Sequence, residues 1–211
     1  MLIPVLAVLA AVSVGVSAAF GGLEEAPDEP EQLTKGAEFD QGQVLTRFED
    51  AVVGRAGNDG LGVPGRRYLQ IIMKVTNQSD RTVSAYLMDR ALPTVWADQK
   101  KIKAKDAPIT SGPRIVVSSS GRSTYSQLHP GVTSTVIMAF EMRPGQQPPK
   151  SVQIDAGTFE WTKTFVSQTY EWYQVTETAP PTEEDRKKGR TSQSRPKVAA
   201  QVRLPVTVES A

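Results

Sequence analysis

Cysteine is absent from the 211 residues and histidine occurs once. The first absence excludes disulfide scaffolds, thiolate zinc sites, cysteine nucleophiles and a lipidated N-terminal cysteine. The second excludes a multi-histidine metal site. An excess of either charge is also lacking: 24 Lys+Arg stand against 23 Asp+Glu, a formal net charge of +1. A uniformly basic nucleic-acid binder and an acidic disordered tail protein are both disfavoured by that balance. What is present, 39% hydrophobic and 22% charged residues, is ordinary for a globular chain. The expectation is a protein without cofactor, metal ligands or catalytic residues.

The N-terminus carries the compartment signal. Residues Leu2 to Phe20 are uncharged and dominated by Leu, Ile, Val, Ala and Phe. As a helix, this run would span about 29 Å, close to the roughly 30 Å hydrocarbon core of a bilayer. Pro4 lies near its start, where proline costs a helix little, and Gly21-Gly22 ends it before Glu24 and Glu25. Residues 1–22 are therefore expected to be a single-pass transmembrane anchor or a secretory signal. Val16-Ser17-Ala18 is compatible with a cleavage site, whereas the lack of Lys or Arg before the run argues against cleavage. A buried helix of a soluble protein is the third alternative. Either of the first two places the body on the extracytoplasmic side. Residues 23–35 read as an acidic, Pro-rich linker: residues 23–34 alone hold five acids and two prolines, a composition that stays extended and solvated.

From residue 36 to 211 the hydrophobic period is two, the signature of half-buried strands. Leu69, Ile71, Met73 and Val75 share one face. Asn77-Gln78-Ser79-Asp80 follows as a turn, and Val83, Ala85 and Leu87 resume the alternation, so a hairpin is expected. Ile115-Val116-Val117 forms a short run. Val132, Ser134, Val136, Met138 and Phe140 form a longer face, and Val152, Ile154 and Ala156 another. At the C-terminus Val198 through Val208 alternate, with Pro205 among them, which suggests an edge strand. Val44, Leu45, Phe48, Ala51 and Val52 fit helical spacing, but a strand with Val44, Phe48 and Val52 on one face agrees better with the neighbouring strands. Residues 176–197, almost free of apolar side chains, read as a mobile loop. The expected fold is an all-β antiparallel sandwich behind an N-terminal transmembrane helix.

Two short motifs suggest a family. Leu128-His129-Pro130-Gly131-Val132, leading into Val136 through Met142, resembles the Leu-x-Pro-Gly turn and following strand of immunoglobulin-like extracytoplasmic domains of unknown function in Gram-positive bacteria. The strand Leu69–Val75 running into Thr76-Asn77-Gln78-Ser79-Asp80 is similar to the hairpin of the same family. The resemblance covers roughly 36–160. It implies an immunoglobulin-like fold, a membrane-anchored extracytoplasmic setting and, with the Ala, Pro and Arg usage, an actinobacterial source. It implies no catalytic residue.

Candidate chemistry is sparse. His129 sits before a proline, and no Gly-x-Ser-x-Gly elbow accompanies Ser118-Ser119-Ser120 or Asp155, so a serine hydrolase is not expected. Gly57-Asn58-Asp59-Gly60 lacks calcium-loop spacing and reads as a turn. Asn77-Gln78-Ser79 is formally a glycosylation sequon but reads as a turn as well. Lys100, Lys101, Lys103 and Lys105 form a basic run, and Arg186, Lys187, Lys188, Arg190, Arg195 and Lys197 a second; each is a solvated face or a contact for an anionic polymer or lipid headgroup. Six of the fourteen aromatic residues fall between 159 and 173: Phe159, Trp161, Phe165, Tyr170, Trp172 and Tyr173. Phe159, Trp161 and Phe165 share parity, as do Tyr170 and Trp172. They can fill a core, anchor a partner or stack on sugars. Trp161, Tyr170, Trp172 and Tyr173, with the first lysine run, are the candidate binding residues. The expected function is a non-enzymatic, membrane-tethered extracytoplasmic module contacting an envelope protein or an anionic wall polymer, with nucleic acid disfavoured. The alternative is an envelope enzyme or accessory subunit acting on glycans through Asp155, Glu160 and Glu171.

Overall fold

A computed structural model describes residues 29–55, 63–102, 114–119, 123–125, 127–165, 167–181, 183–189 and 191–209. Leu2–Phe20, Gly57–Gly60, Lys103 and Lys105 lie outside them. Among the described residues no helix is long and apolar enough to cross a membrane.

Alternating sequence folds into strands throughout. They are β1 (Glu31–Thr34), β2 (Glu38–Asp40), β3 (Val44–Arg55), β4 (Arg67–Asn77), β5 (Val83–Ser84), β6 (Thr94–Ala97), β7 (Lys100–Lys101), β8 (Arg114–Ser119) and β9 (Ser123–Tyr125). Then follow β10 (Gln127–Leu128), β11 (Thr133–Glu141), β12 (Ser151–Ala156), β13 (Phe159–Lys163), β14 (Tyr170–Gln174), β15 (Thr176–Ala179), β16 (Gln193–Pro196) and β17 (Ala200–Val208). Two five-residue helices, α1 (Leu87–Ala91) and α2 (Glu183–Lys187), interrupt them. The result is a β-sandwich. One layer runs β7-β6-β12-β17 with β1 alongside; the other runs β3-β4-β11-β8-β9 with β2 on β3.

Each inward face was legible as a period of two. Leu69, Ile71, Met73 and Val75 of β4 meet Val136 and Met138 of β11, and Val152, Ile154 and Ala156 of β12 belong to the same buried cluster. Each such aliphatic side chain removed from water stabilises the fold by about 2 kcal/mol. The strand reading of residues 44–52 holds, with one correction. A bulge between Phe48 and Asp50 shifts the register against β4, so Phe48 faces the core and then Ala51 and Val53 do, while Val52 stands outside that cluster. The extra residue is also why Val44, Phe48 and Ala51 imitate helical spacing.

Three further expectations change. The C-terminal strand is central, not an edge. β17 pairs with β12 on one side, and on the other first with β1 (parallel, to Arg203) and then with β3 (parallel, from Val206). Val206 donates its N–H toward Lys150 of the β12 side at 3.0 Å. Pro205, one residue earlier, therefore turns its donor-less nitrogen to the gap between β1 and β3, where the strand passes from one layer to the other. Proline is tolerated there because no partner is waiting. These parallel pairs also make the sandwich mixed rather than wholly antiparallel.

Second, β4 does not form a hairpin with the next segment. The chain leaves at Asn77, β5 pairs with β10, and the following apolar residues enter α1. Asn77 causes the departure. Its buried side-chain amide donates to the carbonyls of Arg81 (2.7 Å) and Leu128 (2.9 Å), and its oxygen accepts from the Ser79 N–H (3.0 Å) and hydroxyl (2.7 Å). Its main-chain carbonyl takes the Gly131 N–H at 2.8 Å. The two motifs read separately in the sequence thus meet at one residue, and the sequon's amide nitrogen is closed to glycosylation in the folded protein.

Third, segments read as linker and loop carry strands. Residues 31–34 of the acidic stretch pair with β17. Within 176–197, β15 pairs with β16 around α2, and Asp185 is buried where Gln193 and, at 3.6 Å, Arg195 reach it.

Candidate functional site

The aromatic segment builds a separate two-stranded hairpin. β13 and β14 pair antiparallel, with Trp161 opposite Trp172 and Lys163 opposite Tyr170. Its base is fixed in the body. Phe159 is buried and donates its N–H to the Gln41 carbonyl at 2.8 Å, and the Val175 N–H reaches the Thr158 carbonyl at 2.9 Å. Gln41 itself is fully buried. Its side-chain amide donates to the carbonyls of Ala91 (3.0 Å) and Gly157 (2.8 Å), and its oxygen accepts from the Thr46 hydroxyl at 2.7 Å. One side chain thereby ties the β2–β3 turn, the end of α1 and the approach to the hairpin.

Beyond that base the hairpin leaves the core. Trp161 is 47% exposed, Tyr170 54%, Tyr173 48% and Phe165, in the connecting turn, 92%. Trp172 is half-buried and packs on the core cluster. Because residues two apart share a face, Trp161, Tyr170 and Trp172 line one side. Trp161 stacks on Tyr170 at 6.2 Å with planes 21° apart, and meets Trp172 at 5.4 Å and 53°. They form a ridge. The shared parity of Phe159, Trp161 and Phe165 does not make one surface, since Phe159 is core and Phe165 lies past the strand.

The other side holds Glu160, Thr162, Glu171 and Tyr173. With the turn residues it borders an open groove of about 400 Å³. Tyr173 donates its hydroxyl to Glu171 at 3.3 Å. Lost hydration, and then the Glu171 charge and hydrogen bond, raise the Tyr173 hydroxyl above its ordinary range, so it stays protonated at physiological pH.

The lysines are elsewhere. Lys100 and Lys101 form β7 at the edge of its layer, paired with Trp96 and Ala97. The Asp98 N–H bonds the Ser151 carbonyl at 3.2 Å, which puts this turn at the Ser151 end of β12. The hairpin follows from the Ala156 end. The structure therefore does not join the aromatic and basic candidates into one surface. In the second basic run Arg195 pairs with Asp185.

The three carboxylates are also apart in role. Asp155 is buried on β12 and accepts from Trp96 Nε1 (2.9 Å) and Gln201 Nε2 (3.1 Å), a lacing across β6, β12 and β17. Glu160 faces Tyr173, and Glu171 faces Thr162, on the exposed hairpin. His129 is exposed, with Nδ1 at 3.1 Å from the Thr82 hydroxyl. Among the described residues no group of three or more His, Asp or Glu side chains could hold a metal. His129→Ala is expected to lower stability by no more than about 0.5 kcal/mol, the range of exposed substitutions; a larger loss in urea unfolding would show that the Thr82 contact is structural.

Sequence reasoning missed Gln41, whose polar side chain in a turn gave no sign of burial, and Trp96, which lies outside the aromatic cluster. It also missed Glu141, nearly buried and held by Arg66 and by the Tyr68 hydroxyl at 3.1 Å.

No protein-family model matches the chain, and no curated protein matches it. Among solved structures it is similar to an uncharacterised β-sandwich protein from Clostridium difficile 630, with 11% identity, a TM-score of 0.41, and coverage of 62% of this chain and 91% of that one. It is also similar to a secreted protein from Mycobacterium tuberculosis, with 18% identity, a TM-score of 0.34, and coverage of 61% and 91%.

Proposed function

We propose that this protein is a non-enzymatic binding module of the cell envelope, held at the membrane by residues 2–20 as a transmembrane helix. In this reading an immunoglobulin-like sandwich of actinobacterial type faces the extracytoplasmic side and contacts a neighbouring envelope protein with its aromatic hairpin. The exposed ridge of Trp161 and Tyr170, with Phe165 at the tip, carries the proposal. Large aromatics side by side in water mark interaction surfaces more often than inert ones.

A protein partner is favoured over a wall polymer on two grounds. Trp161 has Tyr170 stacked on it and Trp172 tilted against it, so its ring is not the open flat face that a sugar needs. Chain geometry is the second. β1 begins at Glu31 opposite Ala200, which lies opposite Ala156, three residues before the hairpin. A tether ending at Phe20 reaches the body at the hairpin's end, and residues 21–30 cover at most about 36 Å. The ridge would work close to the bilayer.

The test places a photo-crosslinking amino acid at Phe165 of the full chain in intact cells. One discrete protein adduct is expected, abolished by Trp161→Ser with Tyr170→Ser. That double variant should melt within about 3 °C of the parent, because both side chains are half in solvent. Adducts only to polysaccharide or lipid, or a protein adduct indifferent to the double variant, would reject the reading.

A further inference from the structure

At the opposite end of the sandwich from the hairpin lies a cavity of about 630 Å³, a size typical of small-molecule sites. Its floor is apolar: Leu69 and Met142 are buried, and Phe140 and Ile102 pack against the same core. Its wall is charged, and the charges are unevenly committed. Glu141 is matched by Arg66 and Tyr68. Asp98 turns to the backbone N–H groups of Lys150 (3.0 Å) and Ser151 (3.3 Å). Lys100 and Ile102, opposite Ala97 and Val95, share the inward face of the cavity's β7 wall, whereas Lys101 alternates to the other face beside Trp96; among the described residues the Lys100 side chain makes no ion pair or hydrogen bond. Among the described residues the two acids in the lining are thus occupied inside the protein and Arg143 is engaged as well, while the Lys100 ammonium is not.

We infer that this cavity binds one amphiphilic anion, with a carboxylate or phosphate head on Lys100 and an apolar tail on the Leu69–Phe140–Met142 floor. The pairing is chemical. An uncharged apolar ligand would leave the Lys100 ammonium unused, and a bare inorganic anion would leave the floor wet. An ammonium–anion contact sheltered beside apolar surface is stronger than one in open water. The site is independent of the hairpin and of the membrane tether.

The test uses the full chain in lipid nanodiscs and dodecanoate carrying a photoreactive diazirine, with labelled positions mapped by peptide mass spectrometry. Label is expected on the peptides holding Phe140–Met142 and Ile102. Excess unlabelled dodecanoate or dodecyl phosphate should compete it away, and the better competitor identifies the head group. Lys100→Glu should cut labelling at least about tenfold, the worth of one charge-assisted contact. Lys100 is exposed, so folding should persist, which circular dichroism checks. Ala97→Phe, which fills the cavity, should abolish the label without touching a charge. The inference fails if label is confined to the N-terminal residues or scattered over the surface. It fails if neither amphiphile competes, if a diazirine-bearing dodecanol labels equally well, or if Ala97→Phe changes nothing.

Discussion

Gln41→Ala should destabilise the protein by about 3–5 kcal/mol, a large share of the roughly 5–15 kcal/mol that holds a domain folded. Removing this buried side chain strands the Gly157 carbonyl and the Thr46 hydroxyl and takes one of two donors from the Ala91 carbonyl, which keeps the Gly157 N–H at 2.9 Å. Each orphaned buried group costs about 1–3 kcal/mol unless water fills the hole. The melting temperature should fall by about 10 °C. Gln41→Glu separates hydrogen bonding from volume. It preserves shape but replaces two donors with a carboxylate oxygen facing two carbonyls, so it should be at least as damaging at neutral pH. Urea unfolding of both variants measures this. A loss below about 1 kcal/mol for Gln41→Ala would mean the three elements are not held through this residue.

Gly42→Ala should cost about 2–4 kcal/mol and displace the hairpin base, from backbone strain and a steric clash together. Gly42 has φ +82°, and a Cβ there would stand 2.2 Å from the Phe159 carbonyl oxygen and 3.2 Å from the Trp172 ring. A backbone oxygen at that distance must move, which breaks the adjacent bond from Phe159 to Gln41. Gly36 is the control. Its φ is +83° with nothing within 4 Å of the added carbon, so Gly36→Ala should show the conformational cost alone, about 1–2 kcal/mol. The difference between the two variants isolates the contact with the hairpin. Trp172, half-buried beside Gly42, should shift its emission to the red only in Gly42→Ala. Equal losses, with unchanged emission in both, would remove Gly42 from the account of how the hairpin is seated.

Strand content was readable because β4, β11 and β12 each bury every second residue, and that pattern survives whatever the strands pair with. Pairing partners were not readable. The segment after Asn77 looks like the second arm of a hairpin, but which strand it joins is decided by hydrogen bonds to Leu128 and Gly131, some fifty residues away. Pro205 signalled an edge because a missing donor is usually paired with a missing neighbour. Here the neighbour is missing for only a residue or two, at the crossing between layers. Phe48 and Ala51 looked helical because a bulge adds one residue to the strand, and a bulge is a property of two strands in register. The candidate site was legible in part. Clustering of aromatics marked the segment, but not that Phe159 plugs the core while Trp161 and Tyr170 stand outside.

By itself, the sequence determined what chemistry is excluded and which residues alternate, since composition and the period of two are local. Only the tertiary structure decided that the aromatics form a projecting ridge, that Lys100 borders an apolar cavity at the other end, and that Gln41 is buried. Those facts depend on which distant strands meet, because exposure is set by what covers a side chain and not by its neighbours in the chain.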